Sequence, residues 1–503
     1  MSINLLRDAW IPVQCSDGRC RVIRPDQIAE PEIVFPAWPR PDLNIACLEF
    51  LIGLLFLADP PANASDWRAR KPDAQRLRER LDPLTPAFDL LGDGPRFLQD
   101  LDLRDGKVTR VEMLFIDSAG SVTAKQNGDL VVKRNRYPVL DAPLAAMALY
   151  TLQAHAPAGG AGNRTSMRGG GPMITLADPG TGSLWDLIWA NVPDGMPAGV
   201  GVLPWMRPSR ISKENGSQTY PDLAHPAEAF FGMPRRLRLV GDETVTGVIQ
   251  KPYGANYAAW LHALTPYYRQ QEGAELLPVH PRAGAFGYRN WLGVVMEVPG
   301  DNRDLRRRAS AIDTYQRRLL PRDRAKASVI VAGWALDKMK PQDFTWSRQP
   351  MVAMDYDLQL FLVGMIEAAE AYGGELRGSL KVAVGDGKAL EMLREDFFTR
   401  TQAGFEAGLH ALQSGSAPAE VASRWIKVME RVALEIFDRE ALQGVFRLPV
   451  PRGGSRDKQR SPMKDIVHAR GRLGAAFAGW GKPGKDAYLK LGLTPRSRGK
   501  EAA

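Results

Sequence analysis

The sequence predicts an α+β fold in which a large mixed N-terminal domain (residues 1–354) precedes an all-α C-terminal four-helix bundle (residues 355–503). Strand and helix patterns alternate in the first part of the chain. After Asp355 the strand patterns stop, and four long helical patterns follow one another with short connections, as in a bundle. The 503 residues, 44% of them hydrophobic, are enough for two or three domains with a real core.

Four stretches define the elements of the N-terminal domain. Residues 44–58 are apolar, contain one glutamate and end before a double proline, so they predict a buried helix that is too short to span a bilayer. Residues 143–152 predict a second apolar helix. Residues 5–13 and 237–248 predict strands, the latter because apolar and polar side chains alternate along it.

Helical periodicity defines the C-terminal domain. The four predicted helices are residues 358–384, 388–412, 418–442 and 462–480. The connection at 447–460 is basic and has no periodic pattern, and we expect the basic tail at 481–503 to be loosely ordered.

Composition restricts the function classes. The net charge of +9 favours a polyanionic partner. Three cysteines, Cys15, Cys20 and Cys47, are too few for a disulfide scaffold and have no zinc-knuckle spacing. The six histidines form no metal-hydrolase motif, and the first residues do not have the pattern of a signal peptide. We therefore expect a cytoplasmic protein with no metal, no cofactor and no membrane partner.

A glycine-rich segment at residues 157–172 contains Arg164 and Arg168 and has no apolar periodicity. Glycines let a ligand approach the bare backbone, and arginines beside them suit a phosphate. The segment matches neither a Walker loop nor a dinucleotide-binding turn. It therefore predicts either a phosphate site other than a nucleotide cofactor's or a flexible surface loop with solvated arginines.

A second segment predicts a stiff projection at residues 333–340. The β-branched residues 329–331 indicate a strand that leads into it, and Gly333 would permit a sharp turn. Pro341 favours an extended conformation at Lys340. The alternative is an ordinary surface turn with a solvated lysine.

Several short motifs occur in a fixed order. They are LLRDAWIPV at 5–13, RPD at 40–42, FLQ at 97–99, AP at 156–157, RGGGP at 168–172, WLHALTP at 260–266 and GWALDKMK at 333–340. Their order and spacing, followed by a helical bundle, resemble the large subunit of type I-E Cascade, the CasA family of CRISPR surveillance complexes. The resemblance covers nearly the whole chain.

The resemblance implies a subunit that is not an enzyme. Such a subunit recognises the protospacer-adjacent motif (PAM) in double-stranded DNA through the minor groove, starts strand separation for R-loop formation and recruits the helicase–nuclease. The implied partners are the CRISPR guide RNA, the DNA target with its displaced strand, the backbone, small and handle-binding subunits, and the helicase–nuclease.

The resemblance also implies site residues. The family's glycine loop falls on Gly160, Ala161 and Gly162, its lysine finger on Lys251, its strand-separating wedge on Asp337, Lys338 and Met339, and its loop near the guide's 5′ handle on Phe115 and Asp117. This chain has Lys338 where the wedge often has Gln or Asn. By charge alone, further phosphate contacts are expected at Arg164, Arg168, Arg452 and Arg456.

Two other functions remain open from the residues. A stand-alone nucleic-acid enzyme would need a carboxylate or histidine metal cluster, and the sequence has no such motif. A structural subunit of another ribonucleoprotein would bind duplexes with and without a motif equally well.

Overall fold

The computed structural model describes residues 3–118, 120, 125–126, 134–160, 162–213, 217–298, 305–320, 327–352, 354–447 and 462–496. The chain forms two compact units. The first consists mainly of Met1–Gly284 and Arg303–Val352, and the second of Ala353–Ala503 together with the segment Ala285–Leu292. The first unit mixes helices and strands, and the described part of the second is helical, which confirms the predicted α+β class.

The first unit contains short helices and several small antiparallel sheets. Its helices are α1 (Pro41–Ala58), α2 (Ala64–Ala69), α3 (Ala74–Leu81), α4 (Ala142–His155), α5 (Leu184–Asn191) and α6 (Ser310–Arg318). Its strands are β1 (Ile11–Cys15), β2 (Cys20–Ile23), β3 (Ile33–Pro36), β4 (Val108–Thr109), β5 (Leu140–Asp141), β6 (Ile174–Asp178), β7 (Arg236–Val240), β8 (Thr244–Val245), β9 (Gly247–Lys251), β10 (Tyr267–Tyr268), β11 (Leu277–Pro278), β12 (Arg306–Arg307), β13 (Ser328–Asp337) and β14 (Lys340–Pro350). The sheet orders are β2-β1-β3, β11-β10-β12, β14-β13-β6, β4-β9-β7 and β5-β8.

Helix α1 lies at the centre of the core. Pro41 occupies its first turn, where no backbone N–H donor is needed. The ring of Phe50 makes edge contacts with Trp10, Phe97 and Tyr150. By length and composition α1 could cross a membrane, but 89% of its apolar window is buried inside the protein. It is therefore the buried helix that the sequence predicts.

The two predicted strands have different bounds in the structure. At the N-terminus the strand begins only at Ile11. The stretch 237–248 is divided into separate strands by Gly241, whose φ is +140°. A Cβ there would lie 1.9 Å from the carbonyl oxygen of Thr244, so only glycine permits this turn.

The second unit is built from five described helices. They are α7 (Tyr356–Val384), α8 (Lys388–Gln413), α9 (Pro418–Arg447), α10 (Pro462–Phe477) and α11 (Gly481–Lys490). The prediction of a loosely ordered tail is wrong for α11. Gly484 lets α11 approach α10 closely, since a Cβ there would lie 2.4 Å from the carbonyl oxygen of Ala476. Tyr488 Oη donates a hydrogen bond to Phe477 O at 2.9 Å.

The segment Ala285–Leu292 belongs to the second unit although it lies far upstream in sequence. The ring of Tyr288 stacks on that of Phe405, with centroids 4.4 Å apart. The hydroxyl of Tyr288 is hydrogen-bonded to Thr401 Oγ1 at 2.8 Å, and Arg289 forms an ion pair with Glu395. This segment therefore supplies part of the core of the helical unit.

Candidate nucleic-acid interface

The predicted wedge residues form the tip of a long β-hairpin. Asp337 pairs with Lys340, and Lys338 and Met339 between them have φ of +48° and +63°. Two left-handed residues joining two strands match a type I′ turn, which suits the right-handed twist of a hairpin but strains residues other than glycine. All three predicted wedge residues are exposed at the tip, and the Met339 side chain is 44% exposed.

The outer half of this hairpin extends past its sheet. Strand β13 pairs with β6 only from Ser328 to Ala332, whereas its pairing with β14 continues to Asp337. Gly333 is not the turn that the sequence predicted. It lies within β13 at φ +150°, where a Cβ would come within 2.4 Å of the carbonyl oxygen of Pro172. The glycine therefore lets the hairpin pass closely over the end of the glycine-rich segment.

Tight turns shape the glycine-rich segment that follows α4. Gly160 and Gly162 have φ of +64° and +80°, and Asn163 N donates to Gly160 O at 2.8 Å. Gly160 is exposed. Ala161, at the centre of the predicted loop, lies outside the described residues. The segment thus presents bare backbone at the two described glycine positions.

The end of the glycine-rich segment packs directly against the hairpin. A Cβ on Gly171 would lie 2.7 Å from Trp334 O, and a Cβ on Gly170 would lie 2.9 Å from Met339 Sδ. Gly171 also has a φ of +64°. Side chains at these two positions would separate the loop from the hairpin, so glycine is needed for their contact.

Lys251 lies at the end of strand β9, beside the same loop. Its side chain is exposed. Two residues later, Tyr253 N donates to Gly162 O at 2.8 Å, and the Tyr253 ring occupies the space that a Cβ on Gly162 would need. Gln250 Nε2 donates to Asn163 Oδ1 at 3.0 Å. The structure therefore places the lysine-bearing strand against the glycine loop, and the hairpin against the other end of the same glycine-rich segment, at Gly170 and Gly171.

No sequence motif pointed to Asn163 and Gln250 as candidate site residues. Their amides join the glycine loop to strand β9. Amide side chains are common readers of minor-groove edges. The only sequence signal is their position beside the predicted loop and the predicted lysine.

The structure contradicts the predicted phosphate contact of Arg168. This side chain is 2% exposed, and its Nη2 is 2.5 Å from Oε1 of Glu49, which is fully buried in α1. The same carboxylate is 3.2 Å from His155 Nε2 and 3.5 Å from His262 Nε2. Arg168 therefore anchors the loop to the core, and solvent phosphates do not reach it.

The electrostatics of this cluster follow from burial and from Arg168. Burial alone would raise the pKa of Glu49, but the charge of Arg168 and the hydrogen bond with His155 hold it well below its usual range. Burial, with the nearby Arg168 charge, lowers the pKa of His262 to about 3. At neutral pH the cluster therefore contains a carboxylate, a guanidinium and a neutral His262.

Arg164 is anchored by Ser212, which lies 48 residues further along the chain. Its Nε donates to Ser212 Oγ at 2.9 Å and its Nη2 to Ser212 O at 2.6 Å. The guanidinium carbon lies 5.9 Å from the centroid of the Tyr253 ring. A phosphate contact stays a prediction for the remaining N–H donors of Arg164, two on Nη1 and one on Nη2. Arg452 and Arg456 lie outside the described residues.

The predicted handle-loop residues pack against their neighbours, Phe115 buried and Asp117 half-buried, and their contact with the guide handle stays a prediction. Phe115 is 3% exposed and stacks on Tyr137 with centroids 4.5 Å apart. Asp117 accepts from Arg40 at 3.1 Å and from Arg136 at 2.9 Å. These contacts join residues 115–117 to residues 136–137. Between them, residues 119, 121–124 and 127–133 lie outside the described part of the chain.

Comparison with known proteins shows the family. The sequence model of the CRISPR-associated protein Cse1 family matches residues 4–436. The chain belongs to this family. Among curated proteins, no sequence match is found.

Solved structures show the same fold. CasA of Thermus thermophilus is 17% identical and covers 94% of this chain and 99% of its own, with a TM-score of 0.69. Cse1 of Thermobifida fusca is also 17% identical, with coverages of 97% and 98% and a TM-score of 0.69. A chain from a structure titled as a CRISPR RNA-guided surveillance complex is 15% identical, with coverages of 94% and 99% and a TM-score of 0.69.

Among the residues that the structure describes, no group of three or more His, Cys, Asp or Glu side chains is placed to hold a metal ion. The Glu49 cluster does not alter this, because its carboxylate already faces a guanidinium.

Proposed function

We propose that this Cse1 chain is the non-catalytic large subunit of a type I-E CRISPR surveillance complex in the cytoplasm, and that it reads the PAM in double-stranded DNA. The observation that carries the proposal is the contact between the glycine-rich segment and the hairpin. Gly170 and Gly171 lie against the hairpin, and the strand that ends at Lys251 runs beside Gly162. A duplex that reaches the loop also reaches the hairpin tip.

Minor-groove recognition accounts for the chemistry of the loop. The minor groove is about 6 Å wide and offers few distinguishing groups, so bare backbone and one flexible lysine can enter where large side chains cannot. Gly160 and Gly162 supply the backbone, and Lys251 the cation. Such a reader tolerates several related motifs.

Strand separation accounts for the hairpin. In the outer half of the hairpin, strand β13 pairs only with β14, and the glycine-rich segment packs beneath it. The tip can therefore enter a duplex while the base of the hairpin stays fixed in the sheet. Opening the first base pairs costs a few kcal/mol, and guide pairing roughly balances further opening. The Lys338 ammonium can also pair with a phosphate of a parted strand, which an amide cannot do.

The proposed partners follow from this role. They are the guide RNA, the target duplex with its displaced strand, the backbone, small and handle-binding subunits, and a helicase–nuclease that degrades the opened target. The solved complex whose chain resembles this one is titled as RNA-guided. The net charge of +9 suits a nucleic-acid partner.

Strand-opening kinetics test the proposal. In the reconstituted complex, a fluorescent base beside the motif reports opening. Lys338→Ala should slow opening of a paired target and leave a target that is pre-melted beside the motif unaffected. Equal rates for parent and variant on paired DNA would end the assignment of Lys338 to the wedge.

A motif-library binding assay with the parental complex tests recognition itself. Preference for a small set of motifs is expected. Equal binding of all duplexes would favour a structural subunit that does not read DNA. Divalent-metal-dependent cleavage by the pure chain would instead favour an enzyme.

A further inference from the structure

Arg235 is a buried cation directly beneath the glycine-rich segment. Three arginines are buried among the described residues, and two of them have ion-pair partners: Arg168 with Glu49, and Arg318 with Asp194 at 2.5 Å. Arg235 is 6% exposed, and no carboxylate in the described part of the chain pairs with it. A buried charge without a counter-charge is costly, so its retention calls for an explanation.

The guanidinium of Arg235 has unused hydrogen-bond donors. Its Nη2 donates to Pro157 O, and its Nε is buried without a hydrogen-bond partner. The backbone of Arg235 is held by the side chain of Gln153, which both accepts from its N–H at 3.0 Å and donates to its carbonyl at 2.9 Å. Gln153 therefore fixes the backbone from which the Arg235 side chain extends, while some N–H donors of the guanidinium remain unused.

The open side of this guanidinium faces Gly159. A Cβ on Gly159 would lie 2.7 Å from Nη1 and 3.1 Å from Nη2 of Arg235. Gly159 is itself exposed to solvent. The bare backbone of Gly159 therefore lies between the buried charge and the surface that the proposed function assigns to DNA, with the side chain of Asn163 beside it, and a side chain on Gly159 would displace the guanidinium or cover it.

The charge persists at neutral pH. Burial lowers the pKa of Arg235 to about 10, which still leaves the guanidinium protonated at pH 7. The neighbouring Arg236 behaves differently, because its Nε is 2.6 Å from Asp100 Oδ2 and its charge is balanced.

We propose that Arg235 is a further DNA-binding residue, whose guanidinium is held beneath Gly159 to attract a backbone phosphate of the target duplex. This inference rests on the proposed function. The DNA phosphate then supplies the missing counter-charge. Its binding recovers part of the free energy that the burial of an unpaired guanidinium costs the isolated chain. The contact positions the duplex on the loop and does not select its sequence.

The test compares stability with salt dependence in the same variants. Arg235→Gln removes the charge, and Arg235→Lys keeps it. Binding of a motif-bearing duplex to the reconstituted complex is measured over a range of salt concentrations. We expect Arg235→Gln to weaken binding about 3- to 30-fold at low salt and to reduce the slope of log K against log[salt] by about 1. Arg235→Lys should keep the slope near the parental value.

The melting temperature of the purified chain provides the second measurement. Arg235→Gln should melt no lower than the parent, because it removes an unbalanced buried charge. The exposed Lys71, in the segment between α2 and α3, is the matched control, and Lys71→Gln should leave the slope unchanged.

Three results would overturn the inference. They are an unchanged salt slope in Arg235→Gln, an equal loss of slope in Lys71→Gln, and failure of Arg235→Gln to fold, which would show that the charge serves the fold. A parental complex that binds duplexes equally with and without the motif would instead refute the proposed function. The two failures are thus distinguishable.

Discussion

Replacing Arg168 with methionine tests the buried ion pair beneath the glycine-rich segment. The side chains of Arg168 and Glu49 are 2% and 0% exposed, and their closest atoms are 2.5 Å apart. Methionine fills much of the same volume but leaves the Glu49 carboxylate in the core without its guanidinium. Removing one partner of a buried pair costs about 3–5 kcal/mol of unfolding free energy.

The loss should depend on pH. Arg168 and His155 hold the pKa of Glu49 below its usual range despite burial. A carboxyl group with a lower pKa in the folded chain stabilises the fold above its unfolded pKa of about 4.3, and this contribution is lost as the pH falls through the folded value. Arg168→Met removes that contribution. The difference between parent and variant should therefore be largest at neutral pH and should shrink below about pH 4.

Native-state hydrogen exchange is the suitable assay, because a chain with two compact units need not unfold in one step. Amides of α1 and α4 should lose protection equivalent to about 3–5 kcal/mol in the variant. The double variant Glu49→Gln/Arg168→Met is the control and should recover part of the loss, because no charge remains buried there. Protection within about 1 kcal/mol of the parent, or a loss that does not change with pH, would refute this reasoning.

Three further changes test other contacts. Lys251→Ala should weaken binding of a motif-bearing duplex by about 1–3 kcal/mol in a titration of the complex, and parental affinity would remove Lys251 from the site. Gly171→Ala adds a Cβ 2.7 Å from Trp334 O at φ +64°, so about 1–2 kcal/mol of backbone strain and a displaced hairpin should slow strand opening. Unchanged opening kinetics would show that the loop–hairpin contact is dispensable. Gly364→Ala adds a Cβ 2.3 Å from Lys490 O and should expose residues 481–490 to hydrogen exchange, whereas parental protection would contradict the docking of α11 on α7.

Apolar patterns predicted the parts of the fold that depend on local sequence. Helix α1 follows from a continuous apolar run bounded by prolines, and α7 to α9 follow from helical periodicity. Helix α11 could not be predicted in this way. Its glycines and Pro483 have poor helix propensity, and the helix is stabilised by close packing, in which Gly484 lies against Ala476 and Tyr488 donates to Phe477.

The candidate site was predictable only where it depends on backbone shape. The loop glycines follow from a residue type that permits their turns, whereas the tip at Lys338 and Met339 has left-handed φ values that these residue types disfavour, and only the family resemblance pointed to it. The role of Arg168 depends instead on Glu49, which is 119 residues away in sequence, so a glycine-flanked arginine gives no sign of whether it faces a phosphate or a buried carboxylate. The same limit applies to Phe115, whose burial depends on Tyr137 and Arg40.

The segment Ala285–Leu292 constrains how this protein can be recombined. Because Tyr288 stacks within the helical unit, a single crossover near residue 353 would join one parent's helices to another parent's tyrosine. A chimera of two family members therefore needs this short insert exchanged together with the helices it packs against. We expect residues 285–292 and the helical unit to be inherited together. An isolated fragment that starts at residue 353 would lack the Tyr288 ring that stacks on Phe405 in its core.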